Sequence, residues 1–235
     1  MNTQEINKYF FPERLDKYNY NYFIPRTAVS EFLKAHVDAF NGNVLDLACG
    51  HMPYRTMISE NAKVDNYIPM DIASEEIYQN SDEIKQWDGK TIPLDDNSVD
   101  VILITEFLEH ISSPSEVLIE IKRVLKPQGQ VVGTVPFIWP MHETPHDHSR
   151  FTSFGLKNHL ENSGFSEIQI ESLGGANKAF ALSIAIWLQQ TSGVISKFTR
   201  GYWLKKMRKL IKTDVKSDVF SEGSIFTGLG FMAKK

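Results

Sequence analysis

At 235 residues the chain is long enough for one substantial hydrophobic core and short for two. Hydrophobic residues make up 42% and charged residues 23%, ordinary for a globular protein, while a formal net charge of -4 argues against binding nucleic acid through the whole surface. A lone cysteine, Cys49, excludes an intramolecular disulfide and fits a reducing, cytoplasmic compartment.

The N-terminal stretch to Phe23 lacks a basic region followed by an apolar run, so no secretory signal is read there. Residues 26–40 place apolar side chains at helical spacing and close an N-terminal helical cap (1–40). "NVLDLAC" (43–49) reads as a buried strand, with a short helix expected after Pro53. "DNYIPMDI" (65–72) reads as a second strand, in which Pro69 predicts irregularity or an edge-like position. The unbroken apolar run 98–107 has the composition of a buried parallel strand. Residues 113–129 form a helical pattern, capped by Ser112 or Ser113, with Val117, Leu118, Ile121, Val124 and Leu125 inward and Pro127 as its stop. A strand (130–137), a helix (153–165) closed by Gly164, and a strand (166–173) follow. The last twelve residues, 224–235, read as a final strand, after about fifty residues of helical character.

Alternating strands and helices imply an α/β domain with a doubly wound, mostly parallel sheet and a helical insertion (174–223) before the last strand. In such a sheet the ligand sits beyond the carboxyl ends of the strands. A dinucleotide would need G-x-G-x-x-G after the first strand, but the window here is A-C-G-H-M-P, and Pro53 removes a donor. The turn is a poor cradle for pyrophosphate and an adequate one for a ligand without phosphate.

"VLDLACG", "YIPMDI", "WDGKTIPLDDNSVDVILITEFLEHI" and "EIKRVLKPQGQVVGTVPF" occur in order over residues 40–173. Together they resemble the class I S-adenosylmethionine-dependent methyltransferases, a Rossmann-like family. The resemblance implies that 41–173 is a cofactor-binding core within a single domain. It implies that Asp46, Ala48 and Gly50 line the methionine part of the cofactor, and that Asp71 accepts the ribose hydroxyls, as a two-oxygen carboxylate can. Ile72 would flank the adenine, Asp88 and Gly89 would meet its amino group, and Thr105 and Glu106 would face the sulfonium. The family more often has glycine at the positions of Ala48 and Met52, so Met52–Pro53 leaves the helix start open. Glu109 and His110 are read as structural.

The loop 136–152 gathers His142, Glu143, His146, Asp147, His148 and Arg150 beside Trp139. Three readings compete: a metal site, an acceptor-binding and deprotonating loop, and a loop held by its own hydrogen bonds. No zinc-ligand spacing is present, so no metal is expected. The second reading is taken forward. His146 or His142 would be the base and Asp147 would orient it, while Arg150 and Trp139 would hold the acceptor.

In the insertion, the apolar run Ala179–Leu188 is half a bilayer span. It precedes "KFTRGYWLKKMRKLIK" (197–212), seven basic residues and no acidic one. Residues 179–212 would serve as a lid over the acceptor pocket, as a homodimer face, or as a peripheral membrane contact. The expected activity is transfer of a methyl group from S-adenosylmethionine to a small molecule or glycan, at oxygen, leaving S-adenosylhomocysteine. A non-catalytic cofactor-binding module is the alternative, and a nucleotide-dependent oxidoreductase is a weaker one.

Overall fold

The computed structural model describes residues 3–72, 83–191 and 194–235, so part of the cofactor-binding core and of the 179–212 stretch lies outside the described residues. Helices α1 (Thr3–Phe10) and α2 (Phe23–Ala35) precede β1 (Gly42–Leu47), α3 (Arg55–Ser59), β2 (Val64–Ile72), β3 (Lys85–Trp87) and β4 (Val99–Thr105). Then come α4 (Pro114–Val124), β5 (Leu125–Pro136), α5 (Ser153–Asn162), β6 (Ser166–Ser172), α6 (Ala176–Gln190), α7 (Val194–Lys212) and β7 (Gly228–Lys234). One sheet holds the seven strands in the order β3-β2-β1-β4-β5-β7-β6. β1 to β5 pair in parallel, and β7 lies antiparallel between β5 and β6. The doubly wound, mostly parallel sheet read from the sequence is the sheet observed.

Strand alternation divides the core between two layers. Val44, Val101, Leu103 and Val132 pack with Ala28, Val29, Phe32 and Leu33 of α2 and Ile58 of α3. Leu45, Leu47, Ile102, Ile104, Val131 and Val135 pack instead with Val117, Leu118 and Ile121 of α4 and Leu156 and Leu160 of α5. Each such side chain, fully buried, contributes about 1.5–3 kcal/mol. A third cluster joins the insertion to the N-terminal segment: Leu182, Leu188, Leu204 and Met207 close on Leu15, Phe23 and Ile24, with Trp139 against them.

Two boundaries differ from the sequence reading. α4 ends at Val124, and Leu125 already belongs to β5. Lys126 precedes Pro127, and the proline ring disfavours helical backbone at the residue before it, so the stop falls earlier than the proline itself. The short strand β3, ending at Trp87, has no counterpart in the sequence reading. Pro69 occupies a locally open position: the Met70 carbonyl accepts from Cys49 on the β1 side, and β3 begins opposite Met70. Neighbouring residues of a strand face opposite sides, so the donor that Pro69 lacks falls where no partner strand has begun. Sheet order reverses between β1 and β4, and that crevice is where a ligand is expected.

Candidate active site

The turn leaving β1 is left-handed at Ala48 (φ 59°), Gly50 (φ 53°) and Met52 (φ 51°). That backbone costs a residue other than glycine about 1–2 kcal/mol, which explains why glycine is the commoner choice at all three positions. The chain holds the shape with Met52 N–H donating to Cys49 O at 2.8 Å and Gly50 N–H donating to Asp71 Oδ2 at 2.7 Å. α3 starts at Arg55, so Pro53 sits ahead of the helix and breaks none of its bonds.

Ala48, Gly50, Thr105, Glu106, Trp139 and His142 line one cavity of about 620 Å³. The fold brings these six sequence-predicted residues together. Asp46 does not line it. Its side chain is only 2% exposed and its carboxylate accepts from the Tyr67 hydroxyl. Burial pushes its pKa up to about 7, against the Tyr67 hydrogen bond, which lowers it. The Asp46 carboxylate thus ties β1 to Tyr67 of β2 and lies outside the cavity lining.

Asp71, 8% exposed, spends Oδ2 on Gly50 N–H and Oδ1 on Ile72 N–H, the latter at 2.7 Å. Each oxygen keeps acceptor capacity beyond one bond. Asp71 and Ile72 stand at the carboxyl end of β2, beside β3, and a Cβ added at Gly89 would lie 3.7 Å from Ile72 Cδ1. None of Asp71, Ile72, Asp88 and Gly89 lines the cavity; they stand at the carboxyl ends of β2 and β3. Asp88 is exposed, and its Oδ1 accepts from Lys90 and Thr91 N–H at 2.8 Å each, which holds its carboxyl below the usual range. Turn chemistry accounts for that oxygen.

The histidine loop is rearranged relative to expectation. Arg150 grips Asp147 with two donors, Nη1 at 2.6 Å and Nη2 at 2.8 Å, and also donates to the carbonyls of Trp139, Pro140 and Ser149. Every guanidinium nitrogen is engaged within the loop, so an acceptor-binding Arg150 is corrected to a brace. Asp147, held by that pair, has its carboxyl well below the usual range. Its Oδ2 accepts from His142 N–H at 3.0 Å and lies 3.3 Å from His142 Nδ1, so the histidine beside it is His142. His146 is exposed and lines a separate groove with His148, while its carbonyl meets His110 Nδ1 at 3.0 Å. The assignment of His146 as base is corrected accordingly. Burial and the neighbouring His110 lower the pKa of His142, leaving its imidazole neutral near pH 7.

Sequence reasoning passed over three residues. Arg26 enters the cavity from α2, with its guanidinium 4.2 Å from the Phe10 ring centroid and 4.7 Å from that of Tyr9. The available signal was a lone cation among buried positions: Phe23, Ile24, Ala28 and Val29 all turn inward around it. Glu109 is 0% exposed, and its carboxylate oxygens lack hydrogen-bond partners among the described residues. His110 lines the cavity, its ring 4.6 Å from that of His142. Glu106, at φ 50°, has an Oε1 that is closed off from solvent and likewise without a hydrogen-bond partner among the described residues. Burial raises the Glu106 carboxyl, opposed by Thr134 and by the charges of Arg26 and Arg150.

Residues 45–133 match the methyltransferase domain family. A stretch of 50 residues, 21% of this chain and 14% of the other, is 38% identical to an uncharacterized 37.1 kDa protein in transposon TN4556 of Streptomyces fradiae. The fold is similar to that of a SAM-dependent methyltransferase from Archaeoglobus fulgidus (TM-score 0.59, 19% identity, 89% of this chain and 94% of that one). It is also similar to a SAM-dependent methyltransferase of Thermotoga maritima, a possible histamine N-methyltransferase (TM-score 0.59, 14% identity, 98% and 99%).

Proposed function

We propose that the chain is a class I S-adenosylmethionine-dependent methyltransferase, the reading that its matched core and its sheet support, and that it methylates a small, polar acceptor at a hydroxyl group. One observation carries the proposal. The left-handed turn at 48–52, tied to Asp71, opens on a cavity that a neutral imidazole also lines. About 620 Å³ lies within the usual range for small-molecule sites and suits the sulfonium end of the cofactor together with a compact acceptor.

The residues fit the cofactor. The Gly50 backbone and Asp71 suit the ribose, which carries no phosphate. Arg26 is the one arginine or lysine among the described residues lining the cavity, and it would hold the amino-acid carboxylate. Glu106, with its unpartnered oxygen, would meet the cationic side of the ligand. When bound, the cofactor supplies an activated methyl group on sulfur. His142, with Asp147 beside it, would take the acceptor proton, and Trp139 would supply an apolar wall. α6 and α7 pack behind Ile138 and Trp139 of the cavity wall, which favours an acceptor of small size, whether free or at the end of a glycan.

Methyl transfer from labelled S-adenosylmethionine to a panel of phenols, sugars and amines tests this reading. Label on hydroxyl acceptors, with turnover reduced at least tenfold in His142→Gln at unchanged cofactor affinity, is the expected result. Label on amines alone would reverse the choice of acceptor atom. Cofactor binding with no transfer to any acceptor would favour the non-catalytic module.

A further inference from the structure

We infer that Glu109, His110 and His142 form a binding site for a divalent first-row transition metal ion at the acceptor end of the cavity. The sequence shows no zinc-ligand spacing because the ligands come from two loops. Glu109 and His110 follow β4, and His142 follows β5. Folding brings one ligand atom from each residue within 4.8 Å of the others. Two metal–ligand bonds of about 2.1 Å span at most about 4.2 Å, so the cluster needs only a small side-chain closure around an ion.

Glu109 argues for the ion most directly. It is 0% exposed, and both its carboxylate oxygens lack a hydrogen-bond partner among the described residues; the closest cation-forming group is His110 Nε2 at 3.7 Å. A buried carboxylate without donors is costly unless something supplies positive charge.

The surroundings are those of ligating histidines. His110 Nδ1 faces the His146 carbonyl at 3.0 Å, which assigns it the proton and frees Nε2. Asp147, clamped by Arg150, accepts from the His142 backbone N–H at 3.0 Å and so holds that residue's backbone in place. A carbonyl such as that of His146 fixes imidazole orientation at metal centres. Two imidazoles and one carboxylate suit zinc, manganese, iron or cobalt better than magnesium or calcium. Glu143 Oε2, 3.7 Å from His110 Nε2 and exposed, can complete the set as the ion enters.

This inference deepens the proposed methyl transfer and rests on it for its consequence. With an ion present, the histidines are ligands and not bases. An acceptor hydroxyl bound beside the ion would lose its proton more readily. The test needs no acceptor. The full chain is stripped with chelator and titrated with cobalt(II), followed by its visible absorption and by metal analysis after gel filtration. One equivalent per chain is expected, displaced by zinc(II) and reduced at least tenfold in affinity in Glu109→Gln and in His110→Gln, with circular dichroism confirming that the variants fold. Uptake no greater than that of the variants would overturn the site. S-adenosylhomocysteine binding, measured on the stripped protein, separates the two ideas. Retained binding without metal uptake sinks only the metal site, and metal uptake without nucleoside binding sinks only the methyltransferase reading.

Discussion

Ala48 shows how a single backbone angle shapes the site. Its φ of 59° matches the conformation that glycine supplies freely, so Ala48→Gly trades a cost of about 1–2 kcal/mol for the smaller entropic cost of glycine, about 0.5–1 kcal/mol. The variant should melt up to about 2–4 °C higher, and a lower melting temperature would show that the turn is not strained at this position. Asp46 sits one step below the turn, and its effect depends on pH. Unfolded, it ionises at its ordinary value of 3.8; folded, at about 7. The folded state therefore keeps a proton that the unfolded state releases, and stability falls as pH rises between those values. Asp46→Asn removes a penalty of at most about 4 kcal/mol at pH 8 and almost none at pH 4. Denaturant melts of both proteins at the two pH values check this, and equal differences would contradict it. Arg26→Ala should weaken S-adenosylhomocysteine binding tenfold or more by calorimetry, and unchanged affinity would remove it as the carboxylate partner.

Among the elements, the strands and most helices of the core were legible because buried parallel strands carry unbroken apolar runs and amphipathic helices a 3.6-residue stripe. β3 escaped notice because three residues give no period, and the antiparallel direction of β7 cannot be read from alternation alone. The site was half legible. The turn, Thr105, Glu106 and His142 follow from strand ends, whereas Arg26 and Glu109 depend on how distant elements pack. α6 shows the same limit. Gly175 offers it no side-chain cap, and Asp214 serves instead from beyond α7, accepting from Gly175 N–H at 2.8 Å and Lys178 N–H at 2.9 Å. Asp214→Ala should cost about 0.5–2 kcal/mol, read as loosened hydrogen exchange in the first turn of α6. Unaltered exchange there would deny the cap.

Across the whole molecule, the insertion and the N-terminal segment form one roof. Arg208 of α7 donates to the Leu15 carbonyl through Nε at 3.1 Å and Nη2 at 2.8 Å, and Met207 is fully buried beneath it. This packing supports a lid, since the apolar face of α7 already has a partner. No helix among the described residues is long and apolar enough to cross a membrane. Exposed Phe180, Trp187, Phe198 and Tyr202 leave the outer surface of α6 and α7 as the face for a lipid-docking test. Sedimentation with anionic vesicles should leave the protein in the supernatant if the insertion is solely a lid. The most direct test of the account is a calorimetric titration of the full chain with S-adenosylhomocysteine and, separately, with NADH. Saturable binding of the first, weakened several-fold in Asp71→Asn, and none of the second is the predicted result. An empty titration with S-adenosylhomocysteine, or binding of NADH in its place, would contradict it.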